Sequence, residues 1–217
     1  MRLVLLRHGR TEWNAQRRFQ GQADPPLDDV GRVQAYEVAG LVAALRPERI
    51  VSSDSLRAMQ TASIVGAAIG MDVKADPRLR ERSLGHWEGL TRDEVAERYP
   101  DEFSEWVGGR DVLTRGGETR EEVAARALAA FNDQPKLELI IFVTHSATAM
   151  ALSNALLGIA QKQHPLGPLA NCHWSELSEE DGVWRLRAHN LGTPGTVLPL
   201  PLRLEGAAVE DSPDADA

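Results

Sequence analysis

One cysteine, Cys172, is all the thiol that 217 residues offer. A lone thiol excludes an internal disulfide and has no neighbour with which to build a zinc cluster, so the chain suits a reducing compartment and no metal is expected. No apolar run reaches the roughly 18 residues that span a bilayer, and the first residues lack the basic segment, apolar stretch and cleavage site of an export signal. A cytoplasmic protein with no membrane partner is expected. Positive charge is also in deficit, with 24 Lys and Arg against 32 Asp and Glu, a formal charge of −8 and an isoelectric point near 5.3. That balance argues against a broadly basic surface of the kind that tracks nucleic acid, which leaves small molecules as the expected partners. There is no repeat of fixed period and no G-x-S-x-G elbow around Ser146. Gly116-Gly117 lacks the spacing and lysine of a P-loop, and reads as a turn into a helix. His86-Trp87-Glu88 resembles a zinc deaminase fragment without the required Pro-Cys-x-x-Cys.

What is present reads as one catalytic domain over residues 1–204, followed by an acidic tail at 205–217 expected to be disordered. Strand-like runs alternate with helical patterns. Leu3–Leu6 precedes a polar loop and a helix at about 28–45, with apolar positions Val30, Val33, Val38, Leu41 and Val42. A short strand at Arg49–Ser52 precedes a helix at 56–69, capped by Ser53 or Asp54 and ended by Gly70, with Met59, Ala62, Ile64, Val65 and Ala68 inward. Met71–Lys74 is a further strand. Helices at about 91–98, 100–106 and 118–131 follow, the first two inside a cap-like insertion at about 84–117. Leu137–Val143 is the most apolar run and should be a central parallel strand, continuing through His145 and Ser146, an N-cap candidate, into a helix ending at Leu157. Residues 173–178 and 183–188 read as an edge hairpin. The sum is a three-layer αβα sandwich with a mostly parallel sheet.

Parallel strands open their following loops at one sheet edge, so Arg7 and His8, Arg57 and His145 should converge there. Two guanidinium groups, two imidazoles and helix N-termini make a site for a phosphate-like anion. Phosphate monoesters hydrolyse extremely slowly, and an enzyme for them needs a nucleophile, charge neutralisation and a proton for the departing alcohol. His8 is a candidate nucleophile, since flanking Arg7 and Arg57 disfavour its protonated form. Glu81, in Leu79-Arg80-Glu81-Arg82, is the candidate acid, because a carboxyl group beside a bound dianion resists ionisation. A module that binds phosphorylated ligands without turnover would need neither group. His86, His164, His173 and His189 read as structural or exposed, and Trp87, Trp106 and Trp174 as packing residues.

Leu6-Arg7-His8-Gly9-Arg10-Thr11-Glu12-Trp13-Asn14 resembles the signature of the histidine phosphatase superfamily, in its phosphoglycerate mutase-like branch. Arg18-Phe19-Gln20-Gly21, Pro26-Leu27 with Gly31, Val51 through Arg57, Leu79-Arg80-Glu81, Gly85 through Gly89, Gly116 through Thr119 and Val143-Thr144-His145 follow in family order over about residues 2–190. The resemblance implies a metal-independent, cofactor-free phosphomonoesterase for a small phosphorylated metabolite, working through a phosphohistidine at His8. Arg7, Arg57 and His145 would hold phosphoryl oxygens, Glu81 would donate the proton, and Asn14, Gln20 and Gly21 would line the pocket. Ser146 stands where glycine is usual and would add a hydroxyl near the phosphate, while Arg10 replaces a commoner Glu or Gln and would favour a more anionic substrate. Phosphoglycerate mutase-type transfer is the alternative; against it, the insertion is short and lacks the mutases' basic cluster, with Arg92, Arg110 and Arg115 as unmatched candidates. Family members often pair, so a homodimer through the hairpin or an edge strand is a further expectation.

Overall fold

The computed structural model of the protein describes residues 1–163 and 165–193. Strands β1 (Arg2–Arg7), β2 (Arg49–Ser52), β3 (Val73–Ala75) and β4 (Leu139–Thr144) run parallel, β5 (Trp174–Glu180) lies antiparallel to β1, and β6 (Val183–Leu191) lies antiparallel to β5. Together they form one sheet of order β3-β2-β4-β1-β5-β6, and the loop after β1 carries a single turn of helix, α1 (Glu12–Ala15). Every residue of β4 is buried, because strands flank it and helices cover both its faces. Its sequence is therefore continuously apolar instead of alternating.

Alternation of side chains across the sheet sorts the interior into two cores. Val4, Leu6, Ile141 and Val143 meet α2 (Asp29–Ala44) and α3 (Leu56–Ile69) through Ala35, Val38, Val42, Ala58, Ala62 and Val65. Leu3, Leu5, Ile140 and Phe142 meet α6 (Arg120–Asn132) and α7 (Ser146–Leu157) through Ala127, Phe131, Ala149 and Leu152. Each large side chain removed from water in this way contributes roughly 1.5–3 kcal/mol. The layering is the αβα sandwich with a mostly parallel sheet expected from the sequence. No helix among the described residues is long and apolar enough to cross a membrane. The expected domain end near residue 204 and the acidic tail lie outside the described residues, as does His164.

Details of the sequence reading are corrected by packing. On α2 the inward stripe is Gly31, Gln34, Ala35, Val38, Ala39 and Val42, which leaves Val30, Val33 and Leu41 exposed. Gln34 turns inward because its Oε1 accepts from the Arg10 amide at 2.9 Å. On α3, Ala68 is exposed. The N-cap there is Ser55 and not Ser53 or Asp54, and it makes no side-chain cap bond. The first amide of the helix, Leu56 N, donates instead to Asp24 Oδ1 at 2.7 Å, so a distant loop supplies the cap. Asp54 is engaged by Arg80, and Ser53 faces His145. Arg10 is paired with Asp28 at 2.8 Å, which leaves its charge committed within the fold. Gly70 ends α3 in the left-handed conformation, as the sequence indicates.

A close backbone crossing seats the start of α2 against the loop after β1. A Cβ on Gly31 would lie 2.0 Å from Arg10 O, and one on Gly9 2.5 Å from Gly31 O. Neither neighbour is a flexible side-chain tip, so the contact cannot relax cheaply. Gly31→Ala should therefore destabilise the protein by about 3 kcal/mol or more. A urea midpoint within error of wild type would contradict the crossing.

Residues 85–112 form a third, smaller core above the sheet edge. Trp87, Val95 and Val112 are buried there against Phe19, Tyr99, Phe103 and Trp106, carried largely by α4 (Arg92–Arg98) and α5 (Pro100–Val107). Thr91 and Glu94 form a capping box at the start of α4, and Pro100 occupies the first turn of α5. Gly116 and Gly117, with φ of 72° and 90°, turn the chain back towards α6, whose N-cap is Thr119.

Candidate active site

The register of the central strands builds the site. Arg7 of β1 lies opposite Thr144 of β4, so His8 and His145 emerge side by side, one residue beyond the strand ends. Their ring centroids are 5.0 Å apart, in an edge-on arrangement. On the other side of β4, Ser52 pairs with Val143, which carries Ser53 to the same edge. The predicted convergence of three βα loops is thus a consequence of strand pairing.

His8 is held with one nitrogen free of its proton. Its Nδ1 lies 2.7 Å from Gly9 O, and a carbonyl can only accept, so Nδ1–H donates there. Nε2 then carries the lone pair, and Arg57 Nε donates to it at 3.3 Å. Arg57 is itself nearly fully buried, with its Nη atoms donating to Ala23 O at 2.6 Å and Gly21 O at 2.8 Å. These bonds fix the guanidinium plane beside the imidazole. His145 Nε2 lies within hydrogen-bond distance of the hydroxyls of Ser53 and Ser55, at 3.0 and 3.2 Å, while its buried Nδ1 has no partner. Arg7 donates from Nη1 to Leu169 O at 2.5 Å and keeps a buried Nε without a partner. Unfilled donors of this kind suit a bound anion.

Burial and the neighbouring guanidinium groups set the protonation of the cluster. Desolvation, then Arg57 and Arg7, drive His8 well below the usual imidazole range. Desolvation and Arg57 do the same to His145. Burial also lowers Arg7 to about 10, still charged at neutral pH, and pushes the Cys172 thiol up to about 12, which keeps it unreactive. Both imidazoles are therefore neutral in the folded protein, but take up protons in the unfolded chain below about pH 6.5. The unfolded state then binds more protons, so stability falls as pH drops below that value, by up to about 1.4 kcal/mol per pH unit for each ring. Urea midpoints at pH 7.5 and 5.0 should differ accordingly; equal midpoints would count against neutral, buried rings.

Glu81 stands at the positive end of α7. Its carboxylate accepts from Ala147 N at 3.3 Å and from Thr148 N at 3.2 Å, and also from Arg82 N at 2.9 Å. Its loop is tied down by Arg126, which donates to the carbonyls of Arg78, Arg80 and Glu81 and pairs with Glu118. Glu88 performs a similar task across the site, accepting from the amides of Gln22, Ala23 and Leu84. Asn171 donates to His8 O and Asn14 Oδ1, joining the segment before β5 to the loop after β1.

A cleft of about 860 Å³ opens over this cluster, between the sheet edge and the α4–α5 region. Arg7, His8, Asn14, Gln20, Gly21, Arg57 and Glu81 line it, so seven of the nine residues singled out from sequence meet there. His145 lies immediately behind His8, fully buried. Ser146 departs from expectation: it is the first residue of α7, not its N-cap, which is His145, and it borders a smaller neighbouring cavity. Its hydroxyl is displaced from the cleft because the helix starts one residue earlier than a serine cap requires. Sequence reasoning missed Arg82, Arg120 and Phe19 on the cleft wall, and read Trp106, which also lines it, only as packing. Adjacency to Glu81 was the one available signal for Arg82. His86, His173 and His189 are bonded to Glu102, Asn171 O and Ser175, in structural roles as expected.

The model of the histidine phosphatase superfamily (branch 1) matches residues 3–192. Glucosyl-3-phosphoglycerate phosphatase of Mycolicibacterium vanbaalenii is 40% identical over 192 residues, covering 82% of this chain and 84% of that protein. The probable phosphoglycerate mutase GpmB of Cronobacter sakazakii is 34% identical over 201 residues, covering 91% and 94%. Among solved structures, a mycobacterial glucosyl-3-phosphoglycerate phosphatase in complex with VO3 superposes with a TM-score of 0.76 at 36% identity, over 87% of this chain and 98% of that one. Sequence signature, strand order and these likenesses agree, and the chain belongs to the histidine phosphatase superfamily, branch 1.

Proposed function

We propose that the protein is a phosphoric monoester hydrolase that acts through a covalent phosphohistidine on His8 Nε2. The observation that carries this reading is the bare Nε2, bonded to Arg57 and backed by the His145 ring, at the floor of a cleft edged by Glu81. A substrate phosphoryl group seated among Arg7, Arg57 and His145 presents its phosphorus to that lone pair. As the N–P bond forms, the P–O bond to the alcohol breaks, and the leaving oxygen takes a proton from Glu81. Water then attacks the phosphohistidine, the Glu81 carboxylate removes its proton, and phosphate departs with His8 neutral again. Asn14, Gln20 and Gly21 border the phosphoryl position. Residues 84–117 serve as a cap on a single catalytic domain, and the lone buried thiol suits work in the cytoplasm. The exposed edge of β6 is the surface along which two copies would pair.

The named relatives point to a small phosphorylated sugar acid as substrate, and to hydrolysis ahead of mutase-type transfer. Phosphate release from p-nitrophenyl phosphate and from phosphoglycerates tests the reading. Hydrolysis that is independent of bisphosphoglycerate is expected. Isomerisation of phosphoglycerate faster than phosphate release would favour the mutase, and ligand binding without any turnover would favour a binding module.

A further inference from the structure

The cleft continues from His8 to a wall on which Arg82 and Arg120 stand. Arg82 is 7% exposed, and its Nη2, though 2.7 Å from Asp111 Oδ1, is buried without a hydrogen bond. Arg120 Nη1 shares that same oxygen at 3.0 Å and also donates to Gly109 O. Behind them Arg115, 2% exposed, lies over the Trp87 ring at 5.2 Å, with Nε and Nη1 both unpartnered. Two guanidinium groups thus share one carboxylate oxygen, with a third buried beside them. Glu118 offers Arg82 and Arg115 only its backbone carbonyl, since its side chain is occupied by Arg126, Ser83 N and Gln22. Burial, followed by repulsion from Arg82, lowers Arg115 to about 10. Buried cationic donors in excess of their acceptors are costly unless something fills them.

Resting on the phosphatase reading above, we propose that Arg82 and Arg120, backed by Arg115, form a second oxyanion subsite that grips a carboxylate on the alcohol part of the substrate. Guanidinium forks match the planar, bidentate geometry of a carboxylate. Arg82 follows Glu81 directly, so one short piece of chain addresses both the leaving oxygen and the second charge. That adjacency selects phospho-hydroxy acids, in which carboxylate and ester oxygen are only a few bonds apart. Of the unmatched candidates in the insertion, Arg115 belongs to this cluster and Arg92 lines the cleft, and Arg82 and Arg120, just outside it, complete the group.

3-Phosphoglycerate and glycerol 3-phosphate differ only by a carboxylate in place of a hydroxymethyl group. The wild-type enzyme should prefer the former by roughly 10- to 100-fold in kcat/KM, as expected for hydrogen bonds to a charged group. Arg120→Met, a change at the more accessible guanidinium, should cost at least about tenfold more on 3-phosphoglycerate than on glycerol 3-phosphate, and Arg120→Lys should restore part of the preference. Absence of preference in the wild type, or equal losses on the two substrates, would overturn the subsite. Calorimetric binding of the same pair to His8→Ala reads the preference without turnover, so failure of the phosphohistidine reading and failure of the subsite are separable. Tighter, Arg120-dependent binding of 2,3-bisphosphoglycerate than of 3-phosphoglycerate would show a second phosphate site and overturn the carboxylate assignment.

Discussion

His8→Ala should lower turnover of every phosphomonoester by on the order of 10⁴-fold or more and leave no acid-labile phosphate on the protein. The size follows from removal of the atom that forms the bond, since neither of the remaining groups can replace Nε2. Arg57 has no lone pair to offer, and the Nε2 of His145 is occupied by two serine hydroxyls. The variant should still fold, because the lost ring leaves Arg57 with its bonds to the Gly21 and Ala23 carbonyls. Rapid quench with radiolabelled substrate, followed by acid and base treatment of the protein, reads the intermediate directly. Label retained on His8→Ala would move the nucleophile elsewhere. Phosphate binding to the variant should persist, since Arg7, Arg57 and His145 remain in place.

Glu81→Ala should discriminate between leaving groups. For an alkyl phosphate the departing alkoxide needs its proton in the transition state, and loss of the acid should cost about 10²- to 10⁴-fold in kcat. For p-nitrophenyl phosphate the departing phenolate is stable unprotonated, so the loss in the phosphorylation step should stay within about tenfold. Comparison of 3-phosphoglycerate with p-nitrophenyl phosphate under single-turnover conditions isolates that step. Equal losses on both would argue that Glu81 only positions the loop it shares with Arg82. The hydrogen bonds from Ala147 and Thr148 make that a real competitor, since they also anchor the start of α7.

Much of the fold was readable from local pattern because burial on two faces leaves a mark on composition. β4 is the clearest instance: its unbroken apolar run could satisfy its backbone only in the middle of a covered sheet. The end of α3 at Gly70 is equally local. The inward face of α2 was less legible. Its stripe is built from glycine, alanine and one glutamine, and hydrophobicity alone pointed to Val30 and Val33, which face solvent. The cap of α3 was not legible at all, because Asp24 reaches Leu56 from 32 positions away.

From sequence by itself came the chemistry: an Arg-His pair after a strand, a second arginine and histidine at equivalent places in later βα units, and an acid between them. Those residue types state which reaction is affordable, because nucleophile, cation and proton donor are properties of side chains. Only the tertiary structure decided which atoms do what. The bare nitrogen of His8 depends on Gly9 O and Arg57, and the unfilled nitrogen of His145 on Ser53 and Ser55. The excess of positive charge around Asp111 depends on three arginines that the chain brings together from either side of a turn. Proton positions and charge balance are set by neighbours within a few ångströms, and for these groups those neighbours are distant in the chain.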